Sequence, residues 1–378
     1  MARRGQQLKR QSIAQRLLAI HARRLQQHPD VLGAGVGAPY SEKKKQITRK
    51  GRRGQPIHWT KLALKVFVRE KREPNEAERI PPYVTLKVGK GAGAKTYKFR
   101  VDVVTLGEVR QAPGRSLLQA GQTGWPAMRK PLPGCRLLFG IPSSAANGSA
   151  DLPNRFDPEE FGWLKVGTIG CVAGTEEQPY LLTAGHVTTE IYKSDPQFPT
   201  QPEDKCMIGF DGENAMLCPI DAVTRIVPHS PLTTDGRTVD AVAIPFPKQL
   251  LQESLPHWPV PSAPDLFWFF GREAYVLVER DGALHKVRGE IEGIYDPHDK
   301  TFDNGYTATI PQTVALRFYG PETTIRGDSG ALILALRGNK LNLLGFHFRR
   351  EDPPNLPSFS LAVAACDALL HVGVEPLA

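Results

Sequence analysis

The apolar positions change rhythm twice in the first third of the chain. Residues 6–27 carry Leu8, Ile13, Leu17, Leu18, Ile20 and Leu25 among Arg, Lys and Gln, a helical stripe with a strongly basic opposite face. This predicts an amphipathic helix, whose apolar side either covers its own domain's sheet or lies on an anionic partner. Val31-Leu32-Gly33-Ala34-Gly35-Val36-Gly37 then reads as a glycine-rich strand. No further glycine stands at the dinucleotide-loop offset and no helix start follows, which excludes that motif. Residues 62–68 and 97–104 alternate as strands, with a turn at Ile80-Pro81-Pro82. The economical grouping is a small α+β N-terminal domain over residues 1–110, followed by a Gly- and Pro-rich linker at 111–133.

After residue 134 the rhythm becomes that of short strands separated by turns: 168–172, 180–182, 239–244, 274–278, 313–318, 331–335 and 343–348. Such a succession predicts a mainly β domain, a sandwich or paired barrels, over residues 134–378. The run 361–371 reads as a helix, with Ser358 and Ser360 as candidate caps and Gly373 where it would end.

Composition adds exclusions. With 378 residues, 40% of them apolar and 23% charged, the chain can fill several cores, which rules out disorder and collagen. No apolar run reaches the roughly 18–20 residues of a membrane helix, and the first residues lack a secretory leader, so a cytoplasmic protein without a membrane span is expected. The net charge of +9 hides a division: residues 1–115 hold 27 Lys/Arg against 8 Asp/Glu, and the remainder 21 against 31. Residues 1–110 are thus a candidate contact for a nucleic acid or a regulatory protein partner, or are simply solubilised by charge. The densest cluster, 43–53, reads as an exposed basic loop. Five cysteines are too few for a disulfide scaffold and fit reduced thiols; Cys206 and Cys218 flank the Asp211-Gly212 turn and are placed to face each other across a hairpin. Without metal-ligand spacings or a phosphate loop, no metal and no cofactor is expected. The Asn147-Gly148-Ser149 sequon reads as a loop.

Three segments carry chemistry. Leu181-Leu182-Thr183-Ala184-Gly185-His186 delivers a histidine at the end of an apolar strand; Val239-Asp240-Ala241-Val242-Ala243 sets an acid in an apolar strand, where it needs a partner; Gly327-Asp328-Ser329-Gly330 presents a serine in a glycine-flanked turn. A serine hydroxyl needs a general base, the base an orienting carboxylate, and the developing oxyanion two donors, and these segments can supply all of them. In this order, with 54 residues from His186 to Asp240 and 89 from Asp240 to Ser329, they are similar to the signature segments of trypsin/chymotrypsin-like serine peptidases.

The resemblance implies a chymotrypsin-like double β-barrel with a C-terminal helix, and a serine endopeptidase acting on a protein or peptide substrate. It implies His186 as base, Asp240 as orienting acid, Ser329 as nucleophile, and the Gly327 and Ser329 amides as the oxyanion hole. Asp235, in an Asp-Gly turn, is the rival acid; Asp240 is preferred for its apolar strand. Residues 29–110 are more loosely similar to the extra domain of a group of intracellular bacterial trypsin-like proteins. The aspartate that pairs with a newly cut N-terminus in the digestive enzymes would here be Asp328, with Arg326 or an N-terminal-domain residue as its candidate partner. Thr323, six residues before the serine, takes the place of the carboxylate that selects Lys or Arg. Thr324 and His347 match the acid-binding positions of glutamyl endopeptidases, with Arg349 and Arg350 adjacent, which implies preference for an acidic residue before the scissile bond. The competing class is a binding or scaffold protein, with a basic partner-binding domain and a vestigial peptidase fold.

Overall fold

The computed structural model describes residues 12–26, 28, 31–41, 46–47, 58–68, 80–89, 91–105, 133–142, 161–185, 187, 205–209, 215–219, 240–245, 256–280, 283–295, 298–301, 307–310, 312–325, 327–352 and 358–376. His186, Asp235, Arg326, the sequon, and most of the basic loop and of the 111–133 segment lie outside them.

The N-terminal region contributes β1 (Val31–Gly37), β2 (Tyr40–Ser41), β3 (Gln46–Ile47), β4 (Ala63–Val68), β5 (Tyr83–Val88) and β6 (Lys95–Thr105). Next come β7 (Arg136–Pro142), β8 (Phe161–Thr168), β9 (Val172–Gly174), β10 (Pro179–Thr183), β11 (Lys205–Gly209), β12 (Ala215–Pro219) and β13 (Val242–Pro245). The last third holds β14 (Glu273–Arg280), β15 (Ala283–Tyr295), β16 (His298–Thr301), β17 (Thr307–Ile310), β18 (Thr313–Phe318), β19 (Leu332–Arg337), β20 (Lys340–Glu351) and β21 (Phe359–Ala364), then the helix Ala365–Val372. The fold is mainly β.

Six strands in the order β14-β19-β20-β21-β18-β15 close on themselves, because β14 also pairs with β15. Beside this barrel lie a three-stranded sheet, β13-β10-β9, and a four-stranded one, β12-β11-β7-β8, in which Cys206 stands opposite Cys218. The 13-residue β15 spans about 43 Å at strand rise. That length serves two partners along one edge: residues 283–290 pair with β14, and Gly293, Ile294 and Tyr295 pair with Gly37, Val36 and Gly35 of β1. The barrel sheet therefore continues through β1-β4-β6-β5, across the boundary drawn from the sequence between residues 110 and 134. Glycine permits the junction: a β-carbon at Gly37 would stand 2.4 Å from the Glu292 carbonyl oxygen.

One apolar cluster spans this junction. Val276, Ile291, Leu316, Ile333, Leu344 and Ala362, one from each barrel strand, are buried together with Val66, Leu86, Phe99 and the helical Ile13 and Leu17. The N-terminal stripe is helical over residues 12–26, with a π turn at Leu18–Ala22, and it covers its own sheet, the first of the two uses expected of it. Arg16 donates to the Lys87 carbonyl (2.7 Å) and the His21 ring lies 3.1 Å from the Thr85 carbonyl, so the helix also caps the open edge of β5.

Four expectations need correction. The strand read over 239–244 begins only at Val242, so Asp240 stands in a bend before β13 rather than within an apolar strand. Residues 168–172 are not one strand: β8 ends at Thr168, and the Ile169 and Gly170 amides turn away to Cys135 and Leu182. The run read as helix 361–371 begins as β21, because β18 and β20 flank it and take up its main-chain groups. Helix starts only after Ala364, and it ends at Gly373 with φ of 70°. Ser360, read as a cap, is a strand residue whose hydroxyl meets His347.

Candidate active site

β10 and β13 pair with Thr183 opposite Val242, which brings the ends of the histidine and aspartate segments side by side. Asp240 is 1% exposed, and one of its carboxylate oxygens lies 3.2 Å from where a β-carbon at Gly185 would stand. Glycine at 185 thus lets a buried carboxylate rest against the main chain one residue before His186. A larger side chain there would press on that oxygen.

The serine turn is held by β8. The Thr168 amide donates to the Ser329 carbonyl (2.7 Å) and the Thr168 hydroxyl to the Gly327 carbonyl (2.8 Å). In turn the Thr183 hydroxyl, three residues before His186, donates to the Thr168 carbonyl (2.8 Å). On the other side the Gly330 amide donates to the His347 carbonyl and the His347 amide to the Ala331 carbonyl, tying the turn to β20. Gly330 adopts φ of 98°, and a β-carbon there would come within 2.3 Å of both the Thr168 carbonyl and the Thr183 hydroxyl, so the turn demands glycine. The main chain around Asp240, Gly185, Thr183 and Ser329 is thereby drawn into one cluster. Thr168, its common hub, looked from sequence like an ordinary strand residue.

Asp328 is buried, and among the described residues its carboxylate is held by Arg280, the last residue of β14, a partner the sequence did not suggest; Arg326, a candidate from sequence, lies outside those residues. The guanidinium is bidentate on the carboxylate, at 2.7 Å and 2.5 Å, and the Ile325 amide donates to the same group at 2.7 Å. Antiparallel pairing of β14 with β19 sets Leu277 opposite Leu332, and extending that register carries Arg280 to the level of the serine turn. Replacing Arg280 by glutamine strands this carboxylate. The expected cost is about 2–4 kcal/mol of folding stability, under that of a fully buried pair because the guanidinium is 22% exposed. Chemical denaturation should show this loss, with partial recovery in Arg280→Lys; unchanged stability would contradict the pairing.

Thr323 and Thr324 are joined through Arg350, which lies three residues after His347 on β20. Thr324 is fully buried, and its hydroxyl has no hydrogen-bond partner among the described residues. Arg350 bridges the two threonines, donating to the Thr323 hydroxyl (3.2 Å) and the Thr324 carbonyl (2.8 Å), while its other nitrogens hold Asp352 at 2.7 Å. The buried His347 ring lies with Nδ1 2.7 Å from the Ser360 hydroxyl. The sequence marked Arg350 only as added charge; its position across both threonines comes from β20.

Among the described residues, no group of three or more His, Cys, Asp or Glu is arranged to hold a metal ion, and no helix is long and apolar enough to cross a membrane.

Comparison with solved structures finds similarity to proteases at low identity. Thermobifida fusca protease A shares 12% identity over 56% of this chain and 92% of its own, with a TM-score of 0.34. A glutamic acid-specific serine protease described as using a histidine triad in substrate binding shares 13% over 56% of this chain and 93% of its own, at 0.32. HL collagenase shares 13% over 67% of this chain and 99% of its own, at 0.37. No protein-family model matches the chain, and no curated protein sequence matches it.

Proposed function

We propose that this protein is a serine endopeptidase with Ser329 as nucleophile, His186 as general base and Asp240 as the acid that orients it. The observation that carries the reading is the buried Asp240 carboxylate against Gly185, the residue before His186 in the chain, just beyond the end of a strand that Thr183 and Thr168 tie to the serine turn. Ser329 Oγ attacks the scissile carbonyl while its proton passes to His186; the imidazolium then protonates the leaving amine, and an acyl-enzyme remains. Water, deprotonated by His186, releases the acid and restores the serine. The Gly327 and Ser329 amides receive the oxyanion. In support, the Gly327 carbonyl and the Asp328 amide are already engaged by the Thr168 hydroxyl and the Ile325 carbonyl, so this part of the turn is set before substrate arrives.

An acidic side chain before the scissile bond fits the pocket chemistry. The Thr324 hydroxyl, the His347 ring and the Arg350 guanidinium are all donors to a carboxylate, and an arginine makes the strongest of these bonds. Asp352, on the exposed side of Arg350, holds that guanidinium in place. Matched peptides differing only in the residue before the scissile bond test both levels of the reading. Cleavage after Glu or Asp is expected to dominate. Preference for Phe, Leu or Lys would sink the acidic pocket but leave the peptidase standing; absence of cleavage together with no labelling by a fluorophosphonate would sink both.

A further inference from the structure

The sheet that extends the barrel ends in an open face of unusual composition. β5 and β6 pair antiparallel with Tyr83 opposite Arg100, Thr85 opposite Lys98 and Lys87 opposite Thr96. These six side chains point to one side and are exposed, while Val84, Leu86, Phe99 and Val101 point to the other and are buried with the N-terminal helix. Each cross-strand row thus offers one cation, and successive rows are about 7 Å apart along the strands. The only acid on either strand is Asp102, buried and shared between Lys65 and Arg100. Tyr83 is 48% exposed, and Lys98 Nζ rests 4.0 Å above its ring.

We infer that this face binds single-stranded nucleic acid. Its three cations, Arg100 and Lys98 on β6 and Lys87 on β5, follow one another row by row at a spacing that suits consecutive phosphates of an extended strand, and the tyrosine offers a platform on which a base stacks. A base that displaces Lys98 from the ring releases that ammonium to a phosphate. Duplex is a poorer fit, because reading a groove with two strands needs a protruding ribbon. Here the helix packs behind the pair and caps its edge through Arg16 and His21. The surrounding residues 1–115, with their large cationic excess, supply long-range attraction. This inference stands independently of the peptidase reading.

The test is fluorescence anisotropy of a labelled oligothymidylate with the full chain over a range of salt. Three phosphate contacts predict a slope of log affinity against log salt near −2, which weakens by about 0.7 in Lys87→Glu or Lys98→Glu. Tyr83→Ala is expected to lose about fivefold or more in affinity, and Tyr83→Phe to retain it. All three positions are exposed side chains, and thermal melting checks that each variant is folded; should Tyr83→Ala melt early, the lysine variants still decide. Parent-like affinity in both Tyr83→Ala and Lys98→Glu, no binding at low salt, or tighter binding to duplex or to phosphatidylserine vesicles would each overturn the inference.

Discussion

Alanine in place of Ser329 is expected to lower peptide hydrolysis by a factor on the order of 10⁶ and to abolish covalent labelling by a fluorophosphonate. The size follows from the proposed division of labour. Without the oxygen nucleophile, His186 and Asp240 have nothing to activate, and only the oxyanion donors and binding contribute. Folding should be untouched. The turn is held by main-chain bonds, Thr168 to the Ser329 carbonyl and Gly330 to the His347 carbonyl, and by glycine conformations, none of which uses the serine hydroxyl. The experiment reads hydrolysis, labelling and melting temperature on the same preparation. Undiminished labelling in the folded variant would remove Ser329 from its role.

The second large effect is on stability. Lys65 of β4 is 0% exposed and bonded to Asp102 (3.1 Å) and to Glu292 of β15 (3.2 Å), while Arg317 of β18 pairs with the other Glu292 oxygen. Burial alone would raise the Glu292 carboxyl, but Arg317 and Lys65 more than offset it and hold the group below its usual range. Lys65→Met is expected to cost about 3–5 kcal/mol, since it leaves buried carboxylate charge uncompensated. A depressed carboxylate pKa stabilises the fold above the ordinary value near 4.5 and loses that contribution as pH falls through the folded value. The parent should therefore weaken below about pH 4.5, and the variant should lose less on acidification, because its Glu292 is held down less and so differs less from the unfolded chain. Denaturant titrations at a series of pH values measure both. As Lys65 and Glu292 belong to opposite ends of the chain within one sheet, the transition should remain single in the parent. A variant that unfolds like the parent at every pH would refute the role given to this cluster.

How legible the fold was depended on how each strand is buried. β4, β10, β14 and β18 announce themselves because their cores are apolar and their bounds are turns. β21 did not, since Phe359–Ala364 and the following helix form one apolar run in which periodicity cannot separate strand from helix. The hub strand β15 was missed for the opposite reason. Its His-Lys-Val-Arg-Gly-Glu-Ile-Glu stretch looks solvated, yet Glu290 and Glu292 are buried, Glu292 between partners from other strands. The candidate site divides similarly. Glycines at 185, 327 and 330 and an acid beside an apolar stretch are visible as local oddities; Thr168 and Arg280 carry no local signal.

The sequence by itself determined what is local: which segments are strands or turns, where only glycine fits, which side chains can act as acid, base or nucleophile, and that cationic charge is concentrated in the first third. Partnership was decided by the tertiary structure. Nothing in the chain singles out Arg280 for Asp328 or Lys65 for Glu292 among 48 Lys and Arg residues. Cations are equivalent in composition, whereas a bidentate or buried pair requires a particular distance and direction, and only the registers of β14 on β19 and of β1 between β4 and β15 supply them.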